Sequence, residues 1–299
     1  MIFLSDIHLS SKPPLARSDE PDWQQAMLRS INQLKDLQQE RQCDIICAGD
    51  VFDKWNPNPA LINFAIANLP HMYAIPGQHD LPNHRYDDIK QSAYWTLVEA
   101  GIITNLDPQQ PHQIGDQTTV HAFPWGFDLK PCEADDDKLH VLVAHRFLWI
   151  KSHGYVHAPT ENRLAAIREI VSTYDIAHFG DNHQGFLIKL GEMVVINTGT
   201  FFLRKADEKN YRPRVGILDE SGQVRNHYLD VTEDILLETT TTNQTETDFQ
   251  LDSFLAELQQ LESDPLDFLG LVNEQQRRLP PATQALLQEI LHDAQTTRD

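Results

Sequence analysis

The chain has 299 residues, of which 40% are hydrophobic and 23% are charged, so it is long enough to bury a large core. Its 24 basic and 44 acidic residues give a net charge of −20, which argues against a simple nucleic-acid-binding domain. Residues 233–299 carry −11 of that charge and residues 1–232 carry −9, part of which cation-binding carboxylates would account for. The acidity therefore weakens a nucleic-acid function without excluding it.

The alternation of apolar runs and helical spacing predicts a layered α/β domain with mixed sheets. Predicted elements in chain order are a strand at 1–5, a helix at 22–41, a strand at 44–48, a proline-initiated helix at 57–69, a strand at 71–75, a helix near 92–100, strands near 118–123 and 139–144, a helix at 160–172 and a strand at 175–179. Two hairpins follow, of residues 186–190 with 193–197 and 214–218 with 224–229.

The C-terminal part differs in composition from the rest. We predict a main domain at 1–232, a polar and aperiodic linker at 233–248, and an acidic tail of two or three amphipathic helices at 249–299. The tail could cap the main domain or dock a partner, and periodicity does not separate these alternatives.

The expected compartment is the cytoplasm. The start of the chain has no basic region of the kind that begins a signal peptide, and no apolar run is long enough to cross a bilayer. Three cysteines give no disulfide framework, and we expect Cys43 and Cys47 to be reduced, buried thiols.

Five short segments each follow an apolar, strand-like run and carry residues that can bind a metal. They are Asp6-Ile7-His8, Gly49-Asp50, Gly77-Gln78-His79-Asp80, His145 and Gly180-Asp181-Asn182-His183. Ligands of such sheets bind beyond the carboxyl ends of the strands, so we expect these segments to form one shared site. Carboxylate, carbonyl and imidazole groups suit hard divalent cations, which predicts a hydrolytic centre with two metals.

The spacing of these residues assigns them to two cations. Asp50 is the expected bridge, because it follows a strand and a glycine that permits a sharp turn. Asp6, His8 and His183 would complete the first site, and Gln78, His145 and Asp181 the second. His79, next to Gln78, would act as a general acid toward the leaving oxygen, with Asp80 orienting it.

Each of these residues also has an ordinary structural interpretation. Asp6, Asp50 and His183 could separately be turn or capping residues, and His145 could be a core histidine, but together they favour ligation. Histidines outside the motifs, which we expect to be structural or solvated, are His71, His112, His121, His140 and His178. His84, His153 and His157 lie near the expected rim. Arg204, Lys205, Lys209, Arg212 and Arg214 form either a phosphate-contacting edge or a solvated loop.

In motif order the sequence resembles the calcineurin-like metallophosphoesterase superfamily, whose pattern is D-x-H, G-D, G-N-H-D, a lone H and G-H-x-H. This resemblance implies two mixed β-sheets flanked by helices. Two departures stand out, because Gln78 replaces the asparagine and Asp181 replaces the first histidine of the last motif. Both can still bind manganese or magnesium, and the added carboxylate favours these harder ions over zinc.

A narrower resemblance is to SbcD-type DNA repair exonucleases, including short phage versions. It rests on Asp6-Ile7-His8-Leu9, Gly49-Asp50-Val51-Phe52-Asp53 and Asn197-Thr198-Gly199-Thr200 with Arg204 downstream. The resemblance implies a manganese-dependent DNA exonuclease or endonuclease subunit in repair, recombination or phage DNA processing, placed in the host cytoplasm if phage-encoded. It also implies an SbcC-like coiled-coil ABC-type ATPase partner. A homodimer and no membrane contact are further expectations, and Arg204, Lys205 and His84 are the candidate substrate contacts.

Two other functions remain open at this point. The net acidity favours a phosphodiesterase of small molecules or nucleotides that uses the same chemistry. The replacements at Gln78 and Asp181 leave room for a non-catalytic scaffold, although every ligand-capable position is retained.

Overall fold

We analysed a computed structural model of the chain, which describes residues 1–134, 136–150, 159–204 and 211–237. The predicted helical tail at 249–299 lies outside the described residues, as do Lys205, Lys209, His153 and His157. The described residues fall within one compact unit, Met1–Thr239. Within them, no helix is long and apolar enough to cross a membrane.

The first sheet has six strands, β1 (Ile2–Leu4), β2 (Ile45–Cys47), β3 (Met72–Ala74), β4 (Ile103–Asn105), β11 (Arg214–Leu218) and β12 (Val224–Tyr228). Across the sheet they lie in the order β12-β11-β1-β2-β3-β4. Strands β1 to β4 are parallel, and β11 and β12 continue the sheet as an antiparallel hairpin beside β1.

The second sheet also has six strands, β5 (His112–Ile114), β6 (Thr118–Phe123), β7 (Leu139–Ala144), β8 (Ile176–Phe179), β9 (Phe186–Leu190) and β10 (Met193–Asn197). Across the sheet they lie in the order β5-β6-β7-β8-β10-β9. The four central strands are parallel, and β5 and β9 are antiparallel edges. The predicted pair of mixed sheets is thus confirmed.

Helices cover the outer faces of both sheets. They are α1 (Trp23–Arg41), α2 (Pro59–Asn68), α3 (Ala93–Glu99) and α4 (Leu164–Val171). Asp22, Asn58 and Ser92 cap the first three, because each side chain accepts a hydrogen bond from a backbone N–H of the first turn.

Three apolar clusters separate the layers. The cluster between the sheets contains Phe3 and Ile46 from the first sheet and Val141 and Ile176 from the second. Another joins the first sheet to α1, α2 and α3, and the last joins the second sheet to α4. The sheets therefore pack face to face, which brings the carboxyl ends of their parallel strands to one side of the molecule.

Most predicted elements are confirmed, with differences at short segments. Helix α2 begins at Pro59 rather than Pro57, and the predicted helix at 160–172 is a 3-10 turn, Thr160–Asn162, followed by α4. Strands β4 and β5 were not predicted, since each contains only one apolar residue, Ile103 and Ile114, and so shows no apolar run.

Residues 233–237, which the sequence places in the linker, contact the main domain. Asp234 forms an ion pair with the buried Arg17 at 2.9 Å, and the Ile235 N–H donates a hydrogen bond to Glu20. The predicted domain boundary stays a prediction.

Candidate metal centre

All five motif segments meet at one edge of the sheet pair. Asp6, Asp50 and Gln78 follow β1, β2 and β3 of the first sheet, and His145 and Asp181 follow β7 and β8 of the second. Two hydrogen bonds join the sheets here. The Asp181 N–H donates to the Asp6 carboxylate (3.1 Å to Oδ1), and His145 Nδ1 lies 2.6 Å from the Ala48 carbonyl oxygen.

The backbone at four of the predicted ligand positions is left-handed. The φ angles are +53° at Asp6, +49° at His8, +55° at Asp50 and +73° at Asp181. Non-glycine residues adopt this region uncommonly, and such strain concentrates at functional sites where the surrounding structure holds it. Here it turns the side chains at the strand ends inward to a common point.

Close approach at this edge also explains a glycine of the third motif. A Cβ atom at Gly77 would overlap the carboxylate of Asp50 and lie 2.7 Å from the Asp50 backbone nitrogen. Any larger residue at 77 would therefore push Asp50 out of the site. Glycine is required here by the neighbouring side chain rather than by its own φ angle.

Asp6, His8 and His183 form the first group of potential ligands. His8 Nε2 lies 3.2 Å from His183 Nε2, and Asp6 Oδ1 lies 3.8 Å from the former and 3.7 Å from the latter. These three atoms can surround one ion. This is the set that the sequence assigns to the first cation.

Asp50 connects the first group to the second. Its Oδ2 atom lies 3.6 Å from His8 Nε2 on one side and 3.3 Å from His145 Nε2 on the other. Among the residues that the structure describes, the buried atoms Asp50 Oδ2 and His145 Nε2 have no hydrogen-bond partner. Buried polar atoms without partners cost stability unless something else satisfies them, and a shared cation would do so. The residues therefore fit the divalent ions of two-metal hydrolases.

Gln78 and Asp181 lie together beside this group. Gln78 Nε2 donates a hydrogen bond of 2.9 Å to Asp181 Oδ1, while the buried Gln78 Oε1 has no hydrogen-bond partner among the residues described. The amide oxygen is thus left available as a ligand, and Asp181 retains a second carboxylate oxygen.

The protonation behaviour of the cluster is that of a buried anionic site. Burial raises the pKa of Asp6 to about 7 and also raises the pKa of Asp181. Burial alone would lower the pKa of His145, but the Asp50 carboxylate outweighs it and holds that pKa well above its usual range. The buried carboxylates of Asp6, Asp50 and Asp181 are therefore stable as anions only beside positive charge, which protons or bound cations can provide.

His79 lies at the border of the cluster. Its backbone N–H donates to Asp50 Oδ1 (3.0 Å), and its ring Nδ1 lies 3.0 Å from the Asp53 carbonyl oxygen. Burial lowers the pKa of His79, but the carboxylates of Asp50 and Asp53 outweigh this effect, so the pKa is raised. The protonated ring is the form that can donate a proton.

Asp80 makes different contacts from the predicted ones. Its carboxylate accepts hydrogen bonds from the backbone N–H groups of Val51, Phe52 and Gly77, at 3.0–3.1 Å. It therefore ties the loop after β3 to the loop after β2. The Asp53 carbonyl holds the His79 ring instead, which corrects the prediction that Asp80 orients it.

Asp53 ends the segment Gly49-Asp50-Val51-Phe52-Asp53, but no function was predicted for it from the sequence. Its carboxylate lies 3.6 Å from His8 Nδ1 and forms an ion pair with Arg204. Histidines that bind metals usually give their other ring nitrogen to such an acceptor. The signal was the position of Asp53 three residues after Asp50.

The residues predicted to contact substrate lie at different places around the centre, and their contact with a substrate stays a prediction. Arg204 lies at the border of the centre in its ion pair with Asp53, and the exposed His84 has its Nδ1 3.1 Å from the Gln78 carbonyl oxygen. Arg214 donates to the Gln184 carbonyl oxygen (3.3 Å) and stacks near the rings of Tyr211 and Tyr228.

Comparison with known proteins gives a family and several distant structures. The calcineurin-like phosphoesterase family matches residues 1–185. No curated protein matches the sequence. Similar solved structures include a novel archaeal phosphodiesterase (15% identity, TM-score 0.39, covering 77% of this chain and all of that one). Others are a protein of Thermus thermophilus (11%, 0.45, 77% and 99%) and a metallophosphoesterase from Sphaerobacter thermophilus (15%, 0.36, 77% and 87%).

The structural likenesses are too distant to say anything about the substrate. The family match covers more than half of the chain and contains the five segments that meet at the centre. The chain belongs to the calcineurin-like phosphoesterase family, a family of metal-dependent hydrolases.

Proposed function

We propose that this protein is a two-metal phosphodiesterase that cleaves DNA, similar to the SbcD-type exonucleases. One observation carries the phosphodiesterase chemistry: Asp50 Oδ2 and His145 Nε2 are buried 3.3 Å apart, and neither has a hydrogen-bond partner in the described part of the chain. Ligand atoms of one cation lie at such separations, and Asp50 also adjoins the group around His8.

Each side chain has a distinct part in this proposal. Asp50 would be shared by the two cation positions; Asp6, His8 and His183 would hold one cation, and Gln78, His145 and Asp181 would hold the other. Two bound cations, manganese or magnesium, would supply an activated water and offset the charge of the phosphate. His79 donates a proton from Nε2 to the leaving oxygen, while the Asp53 carbonyl fixes its other nitrogen.

The choice of DNA as substrate is supported by the SbcD-like motifs and by Arg204. The guanidinium lies beside the centre and is held there by Asp53, where it could contact a phosphate next to the scissile one. The net charge of −20 favours the alternative, a small phosphodiester or nucleotide, because it would repel a long polyanion.

A nuclease assay separates these substrates. The full-length protein with manganese is incubated with end-labelled single- and double-stranded DNA and, separately, with a chromogenic diester. Manganese-dependent release of nucleotides that is lost in Asp50→Asn supports the nuclease. Hydrolysis of the diester without cleavage of DNA supports the small-molecule alternative, and activity on neither substrate supports a scaffold.

We also propose that residues 249–299 dock an SbcC-like coiled-coil ATPase, and that the nuclease acts as a homodimer. The amphipathic spacing of this tail supports docking, although the tail lies outside the described residues. Co-purification with the ATPase should be lost when the chain is shortened to about residue 237. Retained co-purification would contradict the docking proposal while leaving the nuclease proposal intact.

A further inference from the structure

A second group of metal-binding side chains lies on the outer face of the second sheet. Thr119 of β6 pairs with His140 of β7, and paired residues of neighbouring strands point to the same face of the sheet. His121 lies two residues after Thr119, so its side chain points to the same face as His140. Cys132 comes from the segment 124–138 that joins these strands. His140 is the second residue of β7, whereas His145 of the candidate metal centre follows its last residue.

The donor atoms of this group converge. His121 Nε2 lies 3.2 Å from His140 Nδ1 and 3.7 Å from Cys132 Sγ, and all three donors lie within 4.8 Å of one another. Zinc binds imidazole nitrogen at about 2.0–2.1 Å and thiolate sulfur at about 2.3 Å, so ligand atoms of a tetrahedral site are roughly 3.3–3.6 Å apart. The separations of 3.2 Å and 3.7 Å between the donor atoms are close to this range.

An outer carboxylate completes this arrangement. Asp136 Oδ1 lies 2.8 Å from His140 Nε2, where a carboxylate accepts a hydrogen bond from a proton-bearing nitrogen, so in the neutral ring His140 Nδ1 presents its lone pair toward His121. Carboxylates that orient metal-binding histidines in this way are a regular feature of zinc sites. If His121 and His140 served only to hydrogen-bond each other, the Cys132 thiol beside them would have no part in the arrangement.

The segment that carries Cys132 is already held against the sheet. The Cys132 N–H donates a hydrogen bond of 2.8 Å to Thr173 Oγ1, and the Tyr174 hydroxyl donates one of 2.8 Å to the Lys130 carbonyl oxygen. The thiol therefore faces the histidines because of its backbone contacts and needs no rearrangement to reach an ion. His140 is buried and His121 half-buried, which leaves one side of the group open to water.

We propose that His121, Cys132 and His140 bind a zinc ion, with water at the fourth position, and that this site clamps the chain around Cys132 to the second sheet. One thiolate and two imidazoles form a softer donor set than the oxygen-rich candidate metal centre. The same chain thus offers two kinds of site, one suited to manganese or magnesium and one to zinc. A clamp of this kind stabilises the folded state, because the unfolded chain does not hold the three donors together.

Cobalt(II) reports on the thiolate directly. Full-length protein, stripped of metal and kept anaerobic with excess magnesium, is titrated with cobalt(II). The proposed site gives a near-ultraviolet thiolate-to-cobalt charge-transfer band that zinc then abolishes. The band should vanish in Cys132→Ser and persist in Cys43→Ser, a matched cysteine elsewhere in the fold. Absence of the band from the wild-type protein, or its survival in Cys132→Ser, would overturn the proposal.

Two measurements keep the test valid if Cys132→Ser does not fold. Zinc should slow modification of Cys132 by a thiol reagent in the wild-type protein and leave the rate at Cys43 unchanged. Asp136→Asn should weaken cobalt binding at this site by about 10–100-fold while the band remains at saturation. Equal modification rates with and without zinc would show that the three side chains form only a hydrogen-bonded cluster.

Discussion

The Gln78 side-chain amide donates a hydrogen bond to the Asp181 carboxylate, with 2.9 Å between Nε2 and Oδ1. The superfamily pattern has asparagine and histidine at these two positions, so the two departures of this chain contact each other. Glutamine is one methylene longer than asparagine, and aspartate is shorter than histidine. The two changes therefore compensate in length, and each residue supports the other at the proposed second cation.

This contact predicts non-additive effects on metal binding. Gln78→Asn or Asp181→His alone should weaken manganese binding at the second position, because each breaks the hydrogen bond and leaves the partner misplaced. The double variant should recover part of the loss, with a coupling of about 0.5–3 kcal/mol. Calorimetric titration of all four proteins measures the coupling. Strictly additive losses would show that the two departures arose independently.

Asp50→Asn tests the proposed bridge. Removing one negative charge from between His8 and His145 should weaken both cation positions and reduce phosphodiesterase activity by on the order of 10³-fold, a loss of several kcal/mol. Asp44→Asn makes the same chemical change at an exposed position just before β2 and should have little effect. Comparable activity of the two variants would remove Asp50 from the centre.

His79→Ala should separate proton transfer from metal binding. We expect kcat to fall by about 10²–10⁴-fold, while the number of bound manganese ions stays the same, because the ring of His79 is assigned to the leaving group. His71→Ala, on an exposed histidine near Thr104, is the control. Loss of a bound ion from His79→Ala would instead make this residue a ligand.

Asp53→Ala should act through His8 rather than through the substrate alone. Loss of the carboxylate that faces His8 Nδ1 should lower metal affinity by about 10–100-fold, as measured by calorimetry. It would also release Arg204. Arg204→Ala should leave metal affinity unchanged and raise the KM for DNA, so the two variants distinguish positioning of a ligand from contact with phosphate.

The ion pairs around Glu20 predict a pH dependence of stability. Burial would raise the pKa of Glu20, but hydrogen bonds from the Ile235 N–H and from Arg17 outweigh it, so the pKa is lowered. A carboxylate with a lowered pKa stabilises the fold above its unfolded-state pKa, and this contribution is lost as the pH falls through the folded-state pKa.

Denaturant unfolding below about pH 5 tests this expectation. The free energy of unfolding should decline with falling pH more steeply in the wild-type protein than in Glu20→Gln. Glu40→Gln, at an exposed carboxylate, should follow the wild-type curve. Parallel curves for all three proteins would contradict a stabilising ionised Glu20.

The sequence predicted long, strongly patterned elements and the motif residues. Strands β6 and β7 match their predicted bounds. The apolar residues Val120, Ala122 and Phe123 mark β6, which ends before Pro124, and β7 is mostly apolar between Lys138 and His145. The motif segments meet as expected, since parallel strands end at a common edge. Spacing could not reveal that the Asp80 carboxylate binds three backbone N–H groups, because this depends on how two loops approach each other in space.

The group of His121, Cys132 and His140 could not be predicted from spacing either. His121 and His140 match no motif and are 19 residues apart in the chain, so the sequence favoured a structural function for both. Only the pairing of β6 with β7 and the path of the segment between them bring Cys132 to the two rings.

The most direct test of the two-metal centre is a crystal structure of the full-length protein with manganese, with anomalous scattering measured at the manganese edge. We predict two peaks about 3.5–4 Å apart, with one carboxylate oxygen of Asp50 or both between them. The first should lie among Asp6, His8 and His183, and the second among Gln78, His145 and Asp181. A single peak, or two peaks that Asp50 does not join, would contradict the account.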